Sequence, residues 1–398
     1  MGRDSERVER ISQALRAEGL DAIVCTLPAN VLLLTGYWPV IGSAIALAGR
    51  DGGVGLLAPA DERDLAMTGR ADILHTFSPG GLDSLSSVGA AALKPFSRLV
   101  RQVGLADVAA RVAFEGGGAV EPASYAALHI YGADLPALLG QAFPRAQLVD
   151  GTDVLARLRA VKTPREIERI SAACSVAERA FRAGAGHVAA NATERCVAAI
   201  FAEGLSVEAG ADERSVGFAY CMSGPNAAEA GAAFARSRGR ALRQGEVALV
   251  HCNSSLGGYW TDITRSYCTG APGEREGAMY EAVLAGRDAA LSAIRPGVSA
   301  SEVDGAARAV IGERGFGRAF THGTGHGVGF AAIDHNARPR LHPLSPDILE
   351  AGMVFNIEPA VYLNGVAGVR QCDMVAITGR GARVLTPFHD TLAELAIG

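Results

Sequence analysis

The run Thr321-His322-Gly323-Thr324-Gly325-His326-Gly327-Val328-Gly329 restricts the chain more than any other stretch. Its alternating glycines weaken any helix and let backbone approach backbone closely or take positive φ. His322 and His326 are therefore presented by a tightly held strand or turn. That presentation suits a metal ligand beside a substrate contact. The alternative is a pair of half-buried histidines bonded to backbone carbonyls.

At 398 residues the chain exceeds one ordinary core, so two domains are expected. A content of 49% hydrophobic and 20% charged residues suits a soluble globular enzyme, and a net charge of −5 gives no electrostatic case for nucleic acid. No apolar run approaches the ~18–20 residues of a membrane span. The N-terminus, Met1-Gly2-Arg3-Asp4-Ser5-Glu6-Arg7, lacks an apolar signal core. The cysteines are odd in number and have no C-x-x-C pair, which points to reduced thiols in a cytoplasm. Cys25, Cys174, Cys196 and Cys221 read as small core residues.

Apolar spacing predicts a helix over Arg7–Glu18 and a buried strand over Asp21–Thr26. The alternation continues to about Val149, giving an α/β domain over residues 1–155 with a mainly parallel sheet. Thr163 and Pro164 form a helix start, and the boundary falls near residue 160. Residues 160–398 read as an α+β domain. Helices over Thr193–Gly204, Glu276–Ile294 and Ser301–Arg314 alternate there with strands over Glu246–Cys252, Met353–Ile357 and Met374–Thr378. Ser301-Glu302-Val303-Asp304 resembles a capping box, and Val361–Val369 reads as a hairpin turning at Asn364-Gly365.

Polar residues in this half concentrate in strand contexts, at His251–Asn253, Tyr259–Arg265, Asn356–Glu358 and Arg370–Asp373. An acid at the end of an apolar strand, such as Glu358, is costly to bury without a cation or proton. Asp262, Glu358 and His326 together can hold one divalent metal. For any one acid, a salt bridge to Arg265 or Arg370 is the alternative.

These blocks resemble the pita-bread metallopeptidase family, which includes prolidase, aminopeptidase P, methionine aminopeptidase and creatinase. The resemblance rests on Asn30–Tyr37, Leu158–Ile167, Ser223-Gly224-Pro225-Asn226-Ala227, Arg295–Val298, His322–Gly329 and Gly352–Pro359. It implies a creatinase-like N-terminal domain, a pita-bread catalytic domain and a homodimer. It also implies two metals held by two aspartates, one histidine and two glutamates. Asp262, His326 and Glu358 match three of these ligands. The other two positions carry His251 and Cys372, which are softer ligands than carboxylate. Two divalent ions would meet too little negative charge here. One ion is expected, with Zn²⁺ or Fe²⁺ fitting better than Mn²⁺, and a creatinase-like metal-free site stays open.

The resemblance also assigns His322 to the substrate and Arg370 to the neighbourhood of the first aspartate, now His251. That exchange favours a neutral or metal-bound His251, or an anion in the vacated space. Tyr259 is a candidate substrate contact. Two family histidines are missing, with Gly231 and Ile333 at their positions; His335 is a candidate replacement or part of a polar loop. His322, Glu358 and His335 are thus the candidate catalytic groups. Three functions follow: a metal-dependent hydrolase of a small amide or dipeptide, a repurposed C–N hydrolase or lyase acting on a small anionic metabolite, or a non-catalytic binding homologue.

Overall fold

A computed structural model describes residues 4–40, 44–78, 88–116, 134–210, 213–231, 236–334 and 336–397. The chain divides into two compact units after Arg159.

In the first unit β1 (Ala22–Cys25), β2 (Ile45–Gly49), β3 (Val54–Pro59), β4 (Ile73–Phe77), β5 (Arg111–Phe114) and β6 (Gln147–Asp150) form one sheet, in the order β4-β3-β2-β1-β5-β6. β1 runs parallel to β5, β5 to β6 and β3 to β4, but β2 is antiparallel to both its neighbours. The sheet is therefore mixed, because the link from Arg50 to Gly53 is too short for a crossover and can only close a hairpin. Asn30–Tyr37 falls largely in a helix, Pro28–Thr35, which opens on Pro28 and ends on Gly36 at φ +70°. The core gathers Leu47, Phe77, Phe96, Leu99 and Phe143.

The second unit opens on the helix Pro164–Ala185, started by a reciprocal capping box between Thr163 and Glu166. β7 (Ser215–Ser223), β8 (Val247–Leu256) and β9 (Tyr259–Thr269) form an antiparallel meander, with the short β15 (Ala396–Ile397) parallel to β9. β10 (Val354–Ile357), β13 (Asp373–Thr378) and β14 (Gly381–Val384) make a second sheet. β11 (Ala360–Leu363) and β12 (Ala367–Arg370) pair as the expected hairpin, turning through Gly365 at φ +72°. The helix Ala300–Glu313 is capped by Ser299, two residues before the expected start, since Ser299 and Glu302 have the capping-box spacing. Cys196 is exposed on the helix Glu194–Val207, so it is not a core residue. No helix among the described residues is long and apolar enough to cross a membrane.

Behind the sheets the fully buried Arg265 and the buried Arg287 clasp Asp373 from both sides. The Arg265 guanidinium also lies 4.3 Å over the Phe388 ring. This joins β9, β13 and the helix Glu274–Ala293 behind the site.

Candidate functional site

Ladder register assembles the site. Residues directly opposite one another in a sheet share a face. Tyr220 faces His251, His251 faces Thr264, and Thr264 bridges to Cys372. These residues form one rung, and the pair Asn253–Asp262 stands two places along the same face. The glycine-histidine run lies alongside β10: the Asn356 amide donates to the His326 carbonyl at 3.1 Å and the Glu358 amide to the Thr324 carbonyl at 2.7 Å. A Cβ at Gly325 would overlap the Asn356 carbonyl, so this approach requires glycine.

Asp262, Glu358 and Cys372 bring their ligand atoms within 4.8 Å of one another. His326 Nε2 lies 3.5 Å from Asp262 Oδ2 and 3.7 Å from Glu358 Oε1. Its Nδ1–H donates to the Gly327 carbonyl at 3.0 Å, which turns Nε2 toward the acids. Burial alone would disfavour charge on the His326 ring, but the hydrogen bond to Asp262 and the charge of Glu358 outweigh it and push its pKa up to about 9. Burial also opposes ionisation of Asp262, yet His251 when protonated, His326 and Arg370 hold its carboxyl well below the usual range. The Cys372 thiol is pushed up by burial and then by Asp262 and Glu358. It donates to the Asp262 carbonyl at 3.2 Å. Two carboxylates, an imidazole and a thiol so close together are the donor set a single borderline metal prefers, and the residues fit a divalent ion. Asn356 braces them: its Oδ1 accepts from the His326 amide at 2.7 Å, and its Nδ2 stands 3.2 Å from His326 Nε2 and 3.6 Å from Cys372 Sγ.

His251 is placed differently. Its Nδ1 lies 3.1 Å from Arg370 Nη2 and 2.9 Å from the Thr264 hydroxyl, and its Nε2 lies 3.0 Å from Asn253 Oδ1. A guanidinium can only donate, so Nδ1 accepts and Nε2–H donates to Asn253. Both nitrogens are engaged, and burial, aided by Arg370, holds the pKa of the ring below its ordinary value. Nδ1 also lies 3.6 Å from Asp262 Oδ1. Of the two states expected of His251, this arrangement has the features of the neutral ring beside Arg370.

His322 Nδ1–H donates to the Gly323 carbonyl at 2.8 Å, and its Nε2 accepts from the Tyr362 hydroxyl at 3.0 Å. Tyr259 lies three residues before Asp262, which puts it on the opposite face of β9, with its ring 5.7 Å from Phe330. That placement sets it on the face of β9 away from Asp262. His335 lies outside the described residues. A Cβ at Gly231 would meet the Tyr362 ring at 2.9 Å, so no histidine fits there beside this tyrosine.

Tyr220 and Tyr362 escaped the sequence reading, and Asn356 was read there only as part of a polar stretch. Tyr362 follows Glu358-Pro359 and could have been found from the alternation of β11. Tyr220 becomes visible only through its register with His251.

Residues 7–161 match the creatinase/prolidase N-terminal domain, and residues 168–379 match metallopeptidase family M24. The Xaa-Pro dipeptidase of Pyrococcus furiosus is 35% identical over 234 residues, which are 59% of this chain and 65% of that protein. The solved prolidase from the same organism superposes with a TM-score of 0.71 at 26% identity, covering 94% of this chain and 98% of that one. The fold is also shared with the N-terminal domain of the FACT complex subunit SPT16 of Cicer arietinum, at 16% identity and a TM-score of 0.71, covering 99% of this chain and 98% of that one. The two matched domains account for both units, and the group Asp262, Glu358 and Cys372, which could hold an ion, lies within the second; the chain belongs to metallopeptidase family M24.

Proposed function

We propose that this chain is a hydrolase of dipeptides or similarly small amides that works through one divalent ion, Zn²⁺ or Fe²⁺, held by Asp262, His326, Glu358 and Cys372. The observation that carries this is the convergence of acid and thiol ligand atoms within 4.8 Å, with His326 Nε2 at 3.5 Å and 3.7 Å from the two acids. When bound, such an ion lowers the pKa of a water and polarises a carbonyl. The Xaa-Pro dipeptidase relative supports the substrate class. Glu358 is the least enclosed of the acids, with 13% of its side chain exposed against 2% for Asp262, and so can exchange protons with an attacking water. His322 keeps a neutral ring, because burial holds its pKa below the ordinary value, and presents it beside Tyr362.

Arg370 favours a second reading, a C–N hydrolase or lyase acting on a small anionic metabolite. Its side chain is buried and its donors meet only hydroxyls, a carbonyl and an imidazole nitrogen. An anion would compensate that charge. The two readings separate in an assay of the Zn²⁺- or Fe²⁺-loaded protein on Xaa-Pro dipeptides, other dipeptides, and guanidino and amide carboxylates. Cleavage of dipeptides supports the first. Turnover confined to the anionic amides supports the second. A purified protein that takes up no metal and turns over nothing would end both.

A further inference from the structure

Tyr220 belongs to no ligand set, yet it occupies a distinctive place. It lies directly opposite His251, with its ring stacked on the imidazole at 4.7 Å and 25°. Its hydroxyl oxygen accepts from Arg370 Nη2 at 2.7 Å. Among the described residues nothing accepts its own proton. Arg370 is in turn fixed by the Thr264 hydroxyl at 3.0 Å, the Tyr362 hydroxyl at 3.3 Å and His251 Nδ1 at 3.1 Å. No carboxylate lies within salt-bridge distance of it among the described residues. A hydroxyl that accepts from a permanent cation becomes a stronger donor through its remaining hydrogen.

We propose that Tyr220 is a catalytic residue of this site: its hydroxyl, polarised by Arg370, donates a hydrogen bond to the substrate's carbonyl oxygen and to the oxyanion that oxygen becomes. Arg370 and Tyr220 thereby supply, from the chain itself, positive potential on the side of the site where His251 stands. This rests on the hydrolase reading above. As the water oxygen bonds to the carbonyl carbon, the π pair of the C=O moves onto the carbonyl oxygen and the water gives one proton to Glu358. Tyr220 steadies that oxygen without losing its own proton. Collapse restores the C=O and breaks the C–N bond, and the amine leaves with the proton returned by Glu358. Burial keeps the phenol above its ordinary pKa despite Arg370, so it remains a donor at neutral pH.

Tyr220→Phe keeps the ring that stacks on His251 and removes only the hydroxyl. The test uses the metal-loaded protein, the dipeptide it cleaves best, and a phosphinate isostere of that dipeptide. The expected result is a kcat lowered about 100-fold with KM changed less than about 3-fold. The phosphinate, which carries a tetrahedral anion, should bind about 100-fold more weakly by calorimetry, with metal content and melting temperature unchanged. A merely structural role would shift metal content, melting temperature and KM together. Equal kcat and equal phosphinate affinity in the variant overturn this proposal alone. A wild-type protein that cleaves no dipeptide or amide overturns the hydrolase reading and this proposal with it.

Discussion

At the scale of single residues, Cys372 and His251 should behave in opposite ways. Cys372 shares the ligand cluster with Asp262 and Glu358, whereas His251 has both ring nitrogens engaged by its neighbours. Cys372→Ala should therefore lower Zn²⁺ affinity by about 100-fold or more, measured by competition with a chromophoric chelator. His251→Ala should leave the metal-to-protein ratio unchanged. Equal losses in the two variants would return His251 to the ligand set. Asp262, His326, Glu358 and Cys372, the residues proposed to hold the ion, stand out in the sequence because each sits in a block with a recognisable local pattern. Tyr220 could not, because its meaning depends on a pairing partner 31 positions away. The face of Tyr259 is likewise read only from the strand: an offset of three from Asp262 reverses the face.

At the scale of elements, the glycine-histidine run works by its closeness to β10. Gly325→Ala would force a methyl group into the Asn356 carbonyl and push His326 away from Asp262 and Glu358. Loss of metal binding together with a lowered melting temperature is expected; an alanine variant that binds metal like the wild type would show that the approach is not required. The Arg265–Asp373–Arg287 clasp makes a second prediction. Asp373→Asn strands a fully buried guanidinium, at a cost of about 3–5 kcal/mol in chemical denaturation. A cost under about 1 kcal/mol would contradict the role given to the clasp. The helix starts at Thr163 and Thr193, the Gly365 hairpin and most strands were legible from period and turn chemistry. The mixed order of the first sheet was not, because a strand's direction is set by the length of its connections rather than by its own residues.

At the scale of the whole molecule, the site's titration should shape the stability of the metal-free protein. His326 is raised in the fold to about 9 from an unfolded value near 6.5, so its contribution is full below about pH 6.5 and is lost as pH rises through about 9. His251 and His322 are lowered, so they destabilise as pH falls below about 6.5. Asp262 and Asp373 are lowered as well, and what they contribute above about pH 4 is lost toward stronger acid. Melting temperatures of the chelator-treated protein should peak near pH 6.5. A steady rise to pH 9 would contradict this balance. Bound metal displaces the His326 proton, so metal affinity should climb with pH over the same alkaline range.

The account turns on one ion held by a carboxylate, imidazole and thiol set. A crystal of the protein loaded with excess Zn²⁺, with anomalous scattering recorded at the zinc edge, tests it most directly. One peak per chain, bonded to Asp262, His326, Glu358 and Cys372 with His251 still against Arg370, is the predicted result. Two peaks with His251 in coordination, or none at these residues, would contradict it.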